Sequence, residues 1–148
     1  MTTSLIDGVG GMFVFSADPA RLARWYAEHL GITFEGAAGE PPFYAVYWSR
    51  AEDDPSRRVD TSFSILTLNV PPTPRASAAE PTTPDAMYGD RAFMVNFRVR
   101  DLDALLAHLA VKAVHPLARQ DESYGRFAWI LDADGHRVEL YQPLPQSG

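Results

Sequence analysis

The stretch Tyr124–Pro143, "YGRFAWILDADGHRVELYQP", decides how this chain is read. Two runs rich in β-branched and aromatic residues flank the turn-forming "DADG", so the stretch predicts a β-hairpin. A single acid, Glu139, interrupts the second run. Strand side chains alternate between two faces. Val138 and Leu140 therefore point one way, and Arg137, Glu139 and Tyr141 the other. In the preceding run Phe127, Trp129 and Leu131 alternate with Ala128 and Ile130, which allows Trp129 to share the face of Glu139. A carboxylate in that place can be a metal ligand, a catalytic base, one end of an ion pair, or a solvent-facing residue.

Working outward, the same element order occurs twice. In the first half "GMFVFS" predicts a strand. Asp18 and Pro19 then open a helix that carries Leu22, Trp25, Tyr26 and Leu30 on one face and stops at Gly31. "ITFEG", "FYAVYWS" (Phe43–Ser49) and "TSFSILTLNV" (Thr61–Val70) predict three further strands. In the second half "RAFMVNFRV" (Arg91–Val99) predicts a strand and "DLDALLAHLA" a helix capped by Asp101. "VKAVHPL", "YGRFAWILD" and "HRVELYQ" predict the last three strands. An offset of 83 residues carries Asp18 to Asp101, Leu22 to Leu105 and Tyr26 to Leu109. Matching caps and apolar positions at one offset indicate an internal repeat. The expected organisation is one α+β domain of two β-α-β-β-β units, 7–70 and 91–143. Between them lies a proline-rich connector, 71–90, too poor in backbone donors to be a regular element.

In "RAFMVNFRV" Phe93, Val95, Phe97 and Val99 form the helix-facing set. Met94, Asn96 and Arg98 face the other way. By the same parity Phe13 and Phe15 lie opposite the core face of the first strand. A non-core face carrying Phe, Met, Asn and Arg has the character of a binding surface, or of a dimer interface or second core layer.

Composition narrows the functional classes. The 148 residues carry a formal net charge of −6 and no cysteine. This excludes disulfides and thiolate chemistry, and argues against nucleic acid as a partner. No apolar run approaches membrane-spanning length, and the first residues show no signal-peptide pattern. A cytoplasmic protein is expected.

"LDADGHRVELYQP", together with "FMVNFRVRDLDALLAHL" and "FVFSADPARLARWYAEHLG", resembles the vicinal oxygen chelate superfamily. That family includes glyoxalase I, extradiol dioxygenases and bleomycin-resistance proteins. Its closing pattern is D-P-x-G-N-x-[IV]-E-L-[WY]-x-P; Ala133 and His136 depart from it. The resemblance implies two units pairing into a curled eight-stranded mixed sheet around a central cavity, and a homodimer. Family members that use a divalent ion draw one ligand from the first and one from the last strand of each unit. Glu139 matches the last-strand ligand of the second unit. The first-strand positions match Gly11, which has no side chain, and Met94, a soft thioether unsuited to hard cations. "TSFSILTLN" offers only Ser, Thr and Asn. His29, His108, His115 and His136 all fall outside the ligand positions. No metal centre and no other cofactor is therefore expected.

Glu139 then needs another partner, and Arg98 or Arg137 is expected to supply it. Two functions follow. The chain can bind a small aromatic or carbonyl-bearing molecule through Phe13, Phe15, Met94, Asn96, Arg98, Trp129 and Tyr141. Alternatively it is a metal-independent enzyme with Glu139 as its general base.

Overall fold

The computed structural model describes residues 9, 11–36, 39–69, 79–91 and 93–145. The first unit is built on β1 (Gly11–Ser16), β2 (Phe43–Arg50) and β3 (Arg58–Thr67), with helix α1 (Pro19–Leu30) after β1. Its sheet runs β1-β3-β2. β1 lies parallel to β3, and β2 antiparallel to it. The second unit contains β4 (Val95–Arg98), α2 (Leu102–Val111), β5 (Ala118–Glu122), β6 (Gly125–Leu131) and β7 (Arg137–Pro143). Its sheet runs β4-β7-β6-β5, with only the β4–β7 pair parallel. Trp25–Gly31 of α1 also belong with this unit.

The repeat is visible in the topology. In each sheet the first strand lies parallel to the last, and the last pairs antiparallel with the one before it. Both helices start at equivalent positions under the 83-residue offset, Pro19 and Leu102. Their caps match as well. Asp18 Oδ1 accepts from the Arg21 N–H at 3.1 Å, and Asp101 Oδ1 from the Ala104 N–H at 3.0 Å. Each carboxylate satisfies one of the donors that the first helical turn leaves open. Tyr26 and Leu109, equivalent under the offset, are both fully buried.

Four expectations are corrected. The strands form two separate sheets, of three and four strands, where one curled sheet of eight was expected. "ITFEG" reduces to one bridge, Glu35 to Tyr44. It stands beside β2 where β5 stands beside β6. Gly31, Gly36 and Gly39 all adopt positive φ around it, which an extended strand cannot contain. "VKAVHPL" is the exit of α2 and forms no strand; β5 begins after it, at Ala118. Among its described residues "RAFMVNFRV" is strand only over Val95–Arg98, with the Val99 N–H adding a bond to the Tyr141 carbonyl at 2.7 Å. Of the connector, 71–78 lie outside the described residues, and Pro84–Met87 form a single 3-10 turn.

The core face of the second sheet carries Val95, Ala128, Ile130, Val138 and Leu140, all buried, with Leu102 and Leu109 of α2. Burying each large apolar side chain contributes about 1.5–3 kcal/mol. α2 is also anchored by polar contact: the Leu102 N–H donates to Gln142 Oε1 of β7 at 2.8 Å.

Candidate functional site

The β6–β7 hairpin sets the site through its turn. The Asp132 N–H donates to the His136 carbonyl at 2.9 Å, and the Gly135 N–H to the Asp132 carbonyl at 3.0 Å. Gly135 has φ +79°, a conformation that favours glycine in this type of hairpin loop. The buried Asp132 carboxylate secures the turn. Oδ1 accepts from the N–H groups of Asp134 and His136, both at 2.9 Å. Oδ2 accepts from the Tyr26 hydroxyl at 2.8 Å and lies 2.7 Å from His136 Nδ1. Burial, then the Asp132 charge, pushes the Tyr26 phenol far up. The hydrogen bond to Asp132 raises the His136 imidazole above its ordinary value.

This turn fixes the register that places Trp129 opposite Glu139 and Phe127 opposite Tyr141. Asn96 and Arg98 of β4 lie opposite Glu139 and Tyr141. Residues paired directly across a sheet share a face, so Asn96, Arg98, Arg137, Glu139, Tyr141, Phe127 and Trp129 lie together. The rings of Phe127 and Tyr141 stack at 5.0 Å and 14°. Phe127 and Trp129 continue the stack at 6.4 Å and 16°. Gly125 makes room for it: a Cβ there would come within 2.5 Å of Tyr141 Cε2.

Glu139 is only 7% exposed. Its Oε2 accepts from Asn96 Nδ2 at 2.5 Å, and its Oε1 from the hydroxyl of Tyr88. Tyr88 also packs edge-on against Trp129, with centroids 5.9 Å apart. Burial and the Glu139 carboxylate push the Tyr88 phenol well above its ordinary value, while the nearby Trp129 indole pulls the other way. That indole N–H is buried.

The connector delivers Tyr88. Arg137, almost wholly buried, grips it on both sides. Nη1 donates to the Met87 carbonyl at 2.9 Å and to Asp90 Oδ1 at 2.5 Å; Nη2 reaches Asp90 Oδ2 at 2.8 Å and Glu80 Oε2 at 2.9 Å. The guanidinium holds the Asp90 carboxyl below the usual range. Arg91 adds an ion pair with Glu80 and a bond to the Gly135 carbonyl at 3.0 Å. Met87 is buried beneath.

Of the residues singled out from sequence, Asn96, Arg98, Glu139, Trp129 and Tyr141 thus share one face. Met94 lies just before β4. Phe13 and Phe15 belong to the first sheet, where they are 62% and 50% exposed. The expected ion pair of Glu139 is overturned. Arg137 is spent on Glu80 and Asp90, Arg98 is exposed, and the partners of Glu139 are Tyr88 and Asn96. Tyr88 and Phe127 were missed as site residues. Tyr88 is the one aromatic in the connector, and with Met87 the only hint there that part of it packs.

The residues do not make the divalent-ion ligand set that the resemblance implied. A Cβ at Gly11 would meet the Ser62 carbonyl oxygen at 2.5 Å, so no ligand side chain fits there. Both Glu139 oxygens already accept from protein donors. Among the described residues no group of three or more His, Asp or Glu could hold a metal ion, and no helix is long and apolar enough to cross a membrane.

No family model and no curated protein matches the chain. Solved structures do. The chain is similar to TnmS3, an antibiotic binding protein from Streptomyces sp. CB03234, at 19% identity over 96% of this chain and 100% of that one, with a TM-score of 0.60. TioX from Micromonospora sp. ML1 matches at 16% identity over 93% and 99%, with a TM-score of 0.58. A protein from Bacillus anthracis described as of the glyoxalase family matches at 13% identity over 97% and 100%, with a TM-score of 0.60. At these identities the likeness shows the fold alone.

Proposed function

We propose that this protein binds a small aromatic or carbonyl-bearing molecule on the Trp129–Glu139 face of its second sheet, without a metal centre. One observation carries the reading: stacked rings of Tyr141, Phe127 and Trp129 lie beside a carboxylate oriented by Tyr88 and Asn96. Small-molecule sites combine apolar, aromatic area with a few placed polar groups. The antibiotic-binding activity named for TnmS3 supports a binder on this fold. The acidic balance supports a small-molecule partner over nucleic acid. Thermal-shift measurements with planar aromatic compounds and with divalent cations test the reading. Stabilisation by aromatics and not by cations is expected. Tight stoichiometric metal in the purified protein would overturn it.

A second reading draws on the way Glu139 is held. A carboxylate fixed from both sides beside a phenol suits proton transfer at carbon next to a carbonyl. Deuterium exchange into simple ketones and α-hydroxy ketones, followed by NMR, separates the two readings. Exchange that disappears in Glu139→Gln would establish the enzyme; equal spectra leave the binder.

We also propose a homodimer. Phe13, Phe15 and Phe93 are 62%, 50% and 83% exposed, and open sheet edges favour covering. Light scattering is expected to give twice the chain mass; a monomer contradicts this.

A further inference from the structure

We propose that Trp48, Arg50 and Arg58 form a site for an aromatic acid, a flat ring that carries a carboxylate or phosphate group. The site lies wholly in the first unit and stands independently of the Trp129–Glu139 face.

The pairing of β2 with β3 builds it. Trp48 stands opposite Asp60, and Arg50 opposite Arg58. Directly paired residues share a face, so all four side chains rise from one side of the hairpin. Arg50 is two residues beyond Trp48, and Arg58 is the cross-strand partner of Arg50. Both cations therefore reach the indole from the side of the hairpin tip. Their guanidinium carbons stand 5.4 Å and 5.3 Å from the centre of the indole ring. Like charges set directly opposite each other in a sheet repel. An anion placed between the two guanidiniums relieves that repulsion.

The donors are available. Arg58 uses Nε on Asp60 Oδ1 at 2.8 Å, which leaves its two Nη groups. The Arg50 side chain is exposed and, among the described residues, makes no hydrogen bond or ion pair. Two acids of the tip are turned elsewhere. Asp53 pairs with Arg57 at 3.4 Å. Asp54 Oδ1 accepts from the Ser56 N–H at 3.0 Å and from its hydroxyl at 2.6 Å. Guanidinium N–H groups match the oxygens of carboxylates and phosphates.

The indole defines the body of the ligand. Trp48 is 55% exposed even with both guanidiniums beside it. Aromatic rings stack face to face with an offset, so the exposed indole offers a seat to a second flat ring. A neutral ring gains only the indole, and an aliphatic acid only the arginines. A ring that bears an anionic group gains both.

The test follows the Trp48 indole N–H resonance, assigned with Trp48→Phe, on the full chain. The probes are 2-naphthoate, 2-naphthyl phosphate and the uncharged 2-naphthamide. At least one anion is expected to shift Trp48 saturably, about tenfold more tightly than 2-naphthamide. The tighter of the two anions tells carboxylate from phosphate. Arg50→Gln removes one cation from an exposed position and is expected to erase that advantage. Unchanged Trp25 and Trp129 resonances in this variant check that it folds. Equal affinity of all three probes at Trp48 overturns the site. So does an advantage that survives both Arg50→Gln and Arg58→Gln, or a Trp48 resonance that neither anion moves.

Discussion

At the residue scale, Glu139 is a carboxyl held almost out of water by two neutral donors. Asn96→Leu would leave one oxygen without a partner, and an unsatisfied buried acceptor costs about 1–3 kcal/mol. Urea unfolding of Asn96→Leu should show a loss of that size; a stability equal to wild type would mean that Asn96 does not hold Glu139. Strand parity placed Glu139 correctly on the mixed face, with Asn96 and Trp129. Parity could not name its partners. Arg137 is on the right face, but Glu80 and Asp90 claim it, and both come from a connector with no periodic pattern.

His136 gives a second prediction at this scale. Its folded-state pKa is raised, chiefly by the hydrogen bond to Asp132. A raised pKa means that the protonated form binds its partner more tightly in the folded chain than in the unfolded one. That contribution is complete below the ordinary value of about 6.5 and fades as pH rises through the raised folded value. Because the imidazole is partly exposed, solvent screening keeps it small. Melting temperature should therefore fall more steeply above about pH 6.5 in wild type than in His136→Gln. Parallel curves would show that the contact does not couple to protonation.

At the element scale, the hairpin and the connector differ in how far sequence reveals them. The hairpin has alternation, a Gly at the turn and a carboxylate to hold it, and all three lie in adjacent residues. β5 has none of these. Its residues "ARQDE" show no apolar alternation, and as an edge strand it is held by its backbone ladder to β6. The neighbouring "VKAVHPL" looked more strand-like, but the Val114 N–H donates to the Leu109 carbonyl at 2.9 Å and closes the helix end. The described part of the connector is ordered by a long-range ion clamp. Arg137→Met should therefore free Met87–Asp90, with a stability loss of about 1–3 kcal/mol. Chymotrypsin should then cut at Tyr88 faster than in wild type. Equal cleavage rates would mean that other contacts hold the connector.

At the scale of the whole molecule, the repeat is what the sequence makes most legible. Two helices with aspartate caps at one offset foretold two units of the same topology, and the strand orders agree. Among the described residues the fourth strand of the first unit reduces to the Glu35–Tyr44 bridge, in a segment, 31–42, that holds three glycines and two prolines. The candidate face was half legible: its floor came from alternation, whereas Tyr88 came from far along the chain. The account stands on that face taking up a small aromatic molecule without a metal. The three tryptophans, Trp25, Trp48 and Trp129, make this directly measurable through their indole N–H resonances. On titration with 2-naphthol in the presence of a chelator, the account predicts that the Trp129 resonance shifts most, and saturates. Movement of Trp48 or Trp25 with Trp129 unchanged, or no shift until a divalent cation is restored, would contradict it.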